Sequence, residues 1–264
     1  TAKNISEEGY VMDVSGNTIR IQASHPAGAY YGCMSLLQAM VHDKNSGTFT
    51  IAAMHVEDQP RFAWRGLLID CARTFISLDY LKKTIDRMSF YKLNMLHLHL
   101  TDDNGWRIQI KKYPLLTSKG AFFAPQYNEP KAFEGFYTQE QMKALIRYAS
   151  LRHITIVPEI ECPGHSNAAR YAYPELSCTS AIPIYPLFSG PAINADAISP
   201  CNEFTYRFFK DVIGEVAKIF PSPYIHLGGD EVPESAWKDC KNCKAVMDSL
   251  GISDNRHLQG YMMN

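Results

Sequence analysis

The sequence predicts an α/β protein, a parallel sheet covered by helices, preceded by a small α+β unit. Three observations predict it. After Pro60, short and largely apolar strands alternate four times with amphipathic helices. Before Pro60 the rhythm differs, with two alternating strands around a turn, one helix and a returning strand. Polar residues also recur at the carboxyl end of each later strand: Asp70 and Arg73, then His99 and Asp102, then Glu161 and His165, then Asp230 and Glu231.

Taken in order, "GYVMDVS" and "NTIRIQAS" alternate around the turn-forming "SGN", "AYYGCMSLLQAMV" has helical spacing, and "GTFTIAAMHVED" returns to strand. The first later unit runs from "GLLID" (66–70) into a helix over 79–91. The second has "NMLHLHL" (94–100), a long loop to about 137 and a helix over 139–152. The third has "ITIVPEI" (154–160), a long variable loop and a helix over 203–220. The fourth has "YIHLGG" (224–229) and a helical segment near 242–250. An open, doubly wound sheet would carry a glycine-rich phosphate loop after its first strand, and "DCARTF" is not one. Four strands delivering charge to one rim describe instead the active face of a (β/α)8 TIM barrel. The roughly 200 residues after Pro60 fall short of the about 250 that a complete barrel takes. Residues 59–264 are therefore expected to form the N-terminal half of a barrel, truncated at its C-terminal side, and 1–58 part of a small α+β domain. Unpaired strand edges make this stretch alone expected to be inactive, with the remaining half of the barrel required.

Lys and Arg total 26 against 27 Asp and Glu, which argues against a polyanion-binding surface and leaves no nucleic-acid partner expected. No run approaches the ~18 apolar residues of a membrane span. The first twenty residues lack the apolar centre of a signal peptide, so either the mature chain starts here or an upstream piece is missing. Among the seven cysteines, Cys33 and Cys71 sit in apolar surroundings and read as buried thiols. Cys178 and Cys201 flank a Pro/Ser/Ala-rich loop, and Cys240 and Cys243 form a CxxC beside lysines. These four could staple loops as disulfides in an oxidising compartment; a zinc knuckle would need all four brought together.

The most informative segment is "HLGGDEVPESAW", whose two glycines let the backbone turn tightly and place Asp230 and Glu231 at the mouth. Adjacent carboxylates repel, which favours one being protonated near neutrality, as a general acid requires. In "HLHLTDDNGW", His97 and His99 share one side of the strand while Leu96, Leu98 and Leu100 face the other. Asp102 and Asp103 follow, able to meet a hydroxyl or hold a histidine. In "PEIECPGHS", Pro163 and Gly164 bend the chain so that His165 turns back over the mouth. Glu159 and Glu161 share parity, and Glu161, nearer the rim, is the better candidate to orient a histidine or a catalytic carboxylate. Arg73 suits paired hydroxyls, with an ion pair to Asp70 or Asp102 as its structural alternative. Trp64 and Trp106 read as core. A ligand with many hydroxyls, met by carboxylates, an arginine and histidines, is a carbohydrate, and glycoside cleavage is the chemistry that follows. A metal-dependent barrel hydrolase, built on the HxH pair, and a non-catalytic sugar-binding protein are the competing readings.

"PRFAWRGLLIDCARTF", "YKLNMLHLHLTDDNGWRIQIKKYPLL", "FYTQEQMKALIRYASLRHITIVPEIECPGHSNAA" and "FPSPYIHLGGDEVPESAW" resemble successive blocks of the β-N-acetylhexosaminidases of glycoside hydrolase family 20. The resemblance covers essentially all of the chain, and residues 1–58 look like the family's small α+β domain without its beginning. It implies an exo-acting, retaining hydrolase that removes terminal non-reducing β-linked N-acetylglucosamine or N-acetylgalactosamine from chitin-like oligosaccharides or glycan termini, with no metal and no cofactor. Glu231 would be the acid/base. Asp230 would orient the substrate's 2-acetamido group, whose carbonyl supplies the nucleophile and forms an oxazolinium intermediate. Arg73 would hold the C3 and C4 hydroxyls, and Asp102 and His165, with His99 and Glu161 behind them, would form the supporting network. A homodimer is compatible with the resemblance. The tail after Glu231 and the cysteine-flanked loop look most like secreted or periplasmic bacterial members, with a lysosomal setting as the alternative. The sequence departs from the family pattern at Thr74, where His is usual, and at Glu161, where many members have Asp.

Overall fold

The computed structural model describes residues 5–178, 184–189, 197–233 and 235–264. Parts of the loop expected after the third barrel strand, 179–183 and 190–196, and Glu234 of "PESAW", lie outside the described residues. In chain order the main elements are β1 (Tyr10–Ser15), β2 (Thr18–Ala23), α1 (Pro26–Ala39), β3 (Met54–Asp58), β4 (Gly66–Asp70), α2 (Leu78–Phe90), β5 (Met95–His99), α3 (Gln139–Ser150), β6 (Thr155–Glu159), α4 (Glu203–Ile219), α5 (Lys241–Leu250) and α6 (Asn255–Met263). The chain divides into two compact units. One comprises Thr1–Leu67, Asp79–Met95 and Tyr148–Thr155, the other Leu68–Leu78, Leu96–Arg147 and Ile156–Asn264.

In the first unit β1 lies between β2 and β3, antiparallel to both, with Tyr10 opposite Ala23 on one side and Asp58 on the other. The two-residue period of β1 turns Tyr10, Met12 and Val14 inward against Tyr31 of α1. A Cβ on Gly28 would lie 2.0 Å from Gly9 O, so the close approach of α1 at this point needs glycine. The buried face of α1 is Gly28, Tyr31 and Gly32. Cys33, one residue further round the helix, is exposed, which corrects its reading as a buried thiol; Cys71 is buried as expected. Asp58 accepts hydrogen bonds from Tyr10 Oη and Lys92 Nζ, both at 2.8 Å.

The second unit holds most of a three-stranded sheet in the order β6-β5-β4. Asn94 N donates to Arg65 O at one end of the β4–β5 pair and Cys71 N to His99 O at the other, so the strands advance together and the pairing is parallel. Thr155 N to Asn94 O and Leu100 N to Glu159 O repeat this for β5 and β6. Leu96, Leu98 and Leu100 are fully buried, as the alternation predicts. The fourth strand is shorter than expected. It is reduced to a parallel bridge between Glu159 and His226, flanked by bonds from Ile160 N to His226 O and from Cys162 N to Leu227 O. Gly228 and Gly229 adopt φ of 64° and 98° immediately afterwards, which ends the extended chain. Four parallel segments in sequential order are half of the eight that close a barrel. On the outer strand β4, Leu67 and Leu68 are exposed, an edge that pairs with a further strand in a closed barrel.

Asn202 caps α4 by accepting from Phe204 N at 2.9 Å, and the helix buries Phe208, Val212, Val216 and Ile219. Phe208 meets Tyr113 and Trp106 edge to face or tilted, with centroids 4.7 and 6.1 Å away. Trp106 is core, as read from the sequence; Trp64 is half exposed and is not. Helix α6, capped by Asp254 accepting from His257 N, was not expected. No helix among the described residues is long and apolar enough to cross a membrane.

Candidate active site

Each barrel strand ends in a polar residue that reaches the same cluster. At the end of β4, Asp70 Oδ1 accepts the backbone N–H groups of Ala72 and Arg73 at 2.9 and 3.0 Å, a tight Asx turn that sets Arg73 at the rim. Asp70 Oδ2 lies 2.9 Å from Arg73 Nη1, and Asp102 Oδ2 lies 2.9 Å from Arg73 Nη2. Both ion pairs named as structural alternatives for Arg73 are thus present. The Arg73 side chain still keeps 42% of its surface open to solvent.

Beyond β5, Asp102 is buried and central. Its Oδ2 lies 2.8 Å from His99 Nε2 and its Oδ1 3.5 Å from His165 Nδ1. Burial alone would raise the Asp102 carboxyl, yet hydrogen bonds from His165 and His99 and the charge of Arg73 hold it well below the usual carboxylate range. His99 shows the reciprocal effect. Burial disfavours its cation, but bonds to Asp102 and Glu159 outweigh this and push it up to about 10. His165 is raised to about 9, chiefly by its bond to Asp102.

His99 Nδ1 lies 2.7 Å from Glu159 Oε2 and 3.7 Å from Glu161 Oε1. Glu159 rather than Glu161 therefore orients His99, which corrects the histidine alternative of the sequence reading. The two share a face, and only the approach of β6 to β5 decides between them. Glu159 also meets His97 at 2.9 Å and His226 at 2.8 Å, and its hydrogen bonds with His97 and His99 keep it ionised against the cost of burial. Glu161 has a different task. Its backbone N–H donates to Thr101 Oγ1, and its Oε2 accepts from Gly229 N at 3.4 Å. Burial, then the charge of Glu159, pushes it up to about 8, which favours its protonated form more than in an ordinary carboxyl. A Cβ on Gly228 would fall 1.8 Å from Glu161 Oε2, so glycine is required there.

His165, at φ 46°, turns back over the mouth as expected. Its Nε2 lies 3.4 Å from Glu231 Oε2 and 3.9 Å from Asp230 Oδ2. The cluster thus contains a line from Asp102 through His165 to Glu231, with Asp230 beside it. Asp230 and Glu231 are largely exposed, and the glycine turn that carries them is held by Gln259 Nε2 of α6, which donates to Gly229 O at 2.6 Å.

Sequence reasoning missed two supports besides Gln259. One is Glu159 as the hub of three histidines, signalled only by its parity with them. The other is Arg107, fully buried, whose Nε and Nη2 donate to Ala72 O and whose Nη1 donates to Ala121 O and Gly135 O. It pins the backbone next to Arg73, and Gly135 N donates to Ala121 O at 3.1 Å beside it. Burial lowers Arg107 to about 10. Of the Asp102 and Asp103 pair, Asp102 is the one that holds histidines, while Asp103 accepts from Asn167 N at 2.8 Å. The donor atoms of His97, Glu159 and His226, and of His165, Asp230 and Glu231, are close enough to hold an ion. Their ring nitrogens already face carboxylate oxygens at 2.8 to 3.9 Å.

Residues 62–264 match the family model for the glycosyl hydrolase family 20 catalytic domain, and residues 1–59 match that for the family's domain 2. The chain belongs to glycosyl hydrolase family 20. A β-hexosaminidase of Porphyromonas gingivalis is 39% identical over 272 residues, covering 100% of this chain and 34% of the relative. One of Vibrio furnissii is 39% identical over 277 residues, covering 100% and 44%. Among solved structures, the family 20 exo-β-N-acetylglucosaminidase of Vibrio harveyi, in complex with N-acetylglucosamine, superposes with a TM-score of 0.89 at 38% identity, over 98% of this chain and 42% of that one. The β-N-acetylhexosaminidase of Bacteroides fragilis does so with a TM-score of 0.85 at 36% identity, over 98% and 49%. The chain thus spans between a third and a half of the length of these relatives. Every rim residue from Asp70 to Glu231 falls inside the family 20 catalytic match.

Proposed function

We propose that the full protein is an exo-acting β-N-acetylhexosaminidase that works with retention through its substrate's own acetamido group. The observation that carries this reading is the line of Asp102, His165 and Glu231 with Asp230 alongside, on a rim that also presents Arg73. Arg73 binds hydroxyls of the terminal sugar with the N–H groups left free by Asp70 and Asp102. The acetamido carbonyl oxygen attacks the anomeric carbon as the glycosidic bond breaks, and the leaving oxygen takes its proton from Glu231. Asp230 accepts a hydrogen bond from the acetamido N–H and opposes the positive charge of the oxazolinium ring, where fixed charge counts most. The His165 cation stabilises the Glu231 carboxylate between the two steps. Water then gives a proton to Glu231 and attacks the anomeric carbon on the face the leaving group vacated, which reopens the ring with net retention.

The test is a series of aryl glycosides of the full-length protein's substrate in which the acetyl methyl is successively fluorinated at constant leaving group. A steady fall of log(kcat/KM) with electron withdrawal is expected, together with negligible hydrolysis of the glucoside bearing a bare 2-hydroxyl. A flat plot with a covalent sugar trapped on a protein carboxylate would overturn the mechanism.

A further inference from the structure

Four of the seven cysteines converge away from the rim. No disulfide joins any of the seven, all of which lie among the described residues. Cys178 Sγ lies 3.3 Å from Cys243 Sγ, and Cys240 Sγ accepts the Cys243 N–H at 3.4 Å. The sulfurs of Cys178, Cys240 and Cys243 are all within 4.8 Å of one another, and Cys201 packs against the same cluster. Three sulfurs in mutual reach with a fourth cysteine beside them do not form the exclusive pairs that disulfides require.

We propose that Cys178, Cys201, Cys240 and Cys243 bind one zinc ion as a closed structural site, separate from the sugar chemistry. Sulfurs at about 2.3 Å from a tetrahedral zinc lie about 3.8 Å apart, a spacing between the shortest contact seen and the outer limit of the group. Cys240 and Cys243 form the two-ligand knuckle. Cys240 is the N-cap of α5, so a backbone N–H and the positive end of the helix both favour its thiolate. Lys238, Lys241 and Lys244 lie close along the chain and offset part of the charge of four thiolates. Ala197, Ala236, Trp237 and Leu258 surround the sulfurs with apolar surface, which keeps water out and suits a four-coordinate site with no open position. On binding, each thiol would release its proton to solvent.

The ligands have a structural logic. Cys178 follows the His165 loop, Cys201 precedes α4, and Cys240 comes nine residues after Glu231. One ion would therefore tie the segment leaving the acid/base to the loop that carries its histidine.

The experiment uses the full-length protein, purified without a metal-binding tag. Elemental analysis is expected to find one zinc per chain, X-ray absorption to find four sulfurs at about 2.3 Å, and denaturing non-reducing mass spectrometry to find every cysteine with its hydrogen. Cys243→Ser and Cys201→Ser should each lose zinc, with a lower Tm. A zinc-free protein lighter by the hydrogens lost to two disulfides would overturn the proposal, as would iron in place of zinc. Because absorption and mass are read on the wild type, misfolding of either variant leaves the test intact.

Discussion

Replacing Asp102 by asparagine keeps the shape of the side chain and removes the charge that Arg73, His99 and His165 share. His165 owes its rise to about 9 first to Asp102, so in Asp102→Asn it should fall toward the ordinary histidine value of about 6.5. At neutral pH the Glu231 carboxylate then loses a cation 3.4 Å away. Glu231 is 76% exposed, so an effective dielectric of roughly 40 to 80 applies and the lost attraction is about 1–2.5 kcal/mol. That corresponds to roughly a 5- to 70-fold lower kcat/KM for poor leaving groups. The assay is kcat/KM against pH, from pH 5 to 10, on alkyl and aryl N-acetylglucosaminides. In wild type the cationic form of His165 persists to about 9, and activity should decline above it. In Asp102→Asn the decline should begin near the ordinary histidine value. An alkaline limb that stays in place while the overall rate falls would refute the charge argument and leave Asp102 a mere anchor for Arg73.

Glu231→Gln removes the transferable proton and should cost about 10²- to 10⁴-fold on poor leaving groups and much less on activated aryl ones; equal losses across the leaving-group series would count against the acid role. Gly228→Ala forces a side chain onto Glu161 at a φ of 64°, a cost of about 2–4 kcal/mol that should lower Tm by several degrees, and an unchanged Tm would show that the turn can relax. His99, raised to about 10 in the folded state, adds stability that is full below its unfolded value of about 6.5 and is lost as pH rises to about 10. The difference in Tm between wild type and His99→Gln should therefore shrink across that window; parallel curves would sink the assignment.

Much of the architecture was legible because burial imposes period. Leu96, Leu98 and Leu100 alternate with His97 and His99, and that alone orients β5, while the carboxyl-end rule of parallel barrels gathers Asp70, Asp102, Glu161 and Asp230 on one rim. What period could not supply was distance. Glu159 and Glu161 have the same parity, and the one nearer the rim proved the poorer partner for His99. Arg107 reads as surface because arginine is seldom buried; backbone carbonyls far apart in sequence satisfy it, and no local pattern announces them. Cys33 misled for the same reason, as apolar neighbours along the chain are not neighbours on a helix face. Helix α6 buries little beyond Leu258, too narrow a stripe to stand out.

The clamp made by Arg107 has a consequence for how such a rim can diversify. Its guanidinium grips Ala121 O and Gly135 O, and Gly135 N closes on Ala121 O, so residues 122–134 leave and return through one neck. Within that excursion Phe133 O accepts from Phe75 N at 3.0 Å, so its last residues also brace the turn that carries Arg73. The backbone at Ala72 is held by Arg107 itself, and the residues between the neck and Phe133 can vary while both ties stay in place. A designer varying this side of the rim would exchange residues within 122–132 and keep Phe133 and Arg107 with its three carbonyl partners untouched.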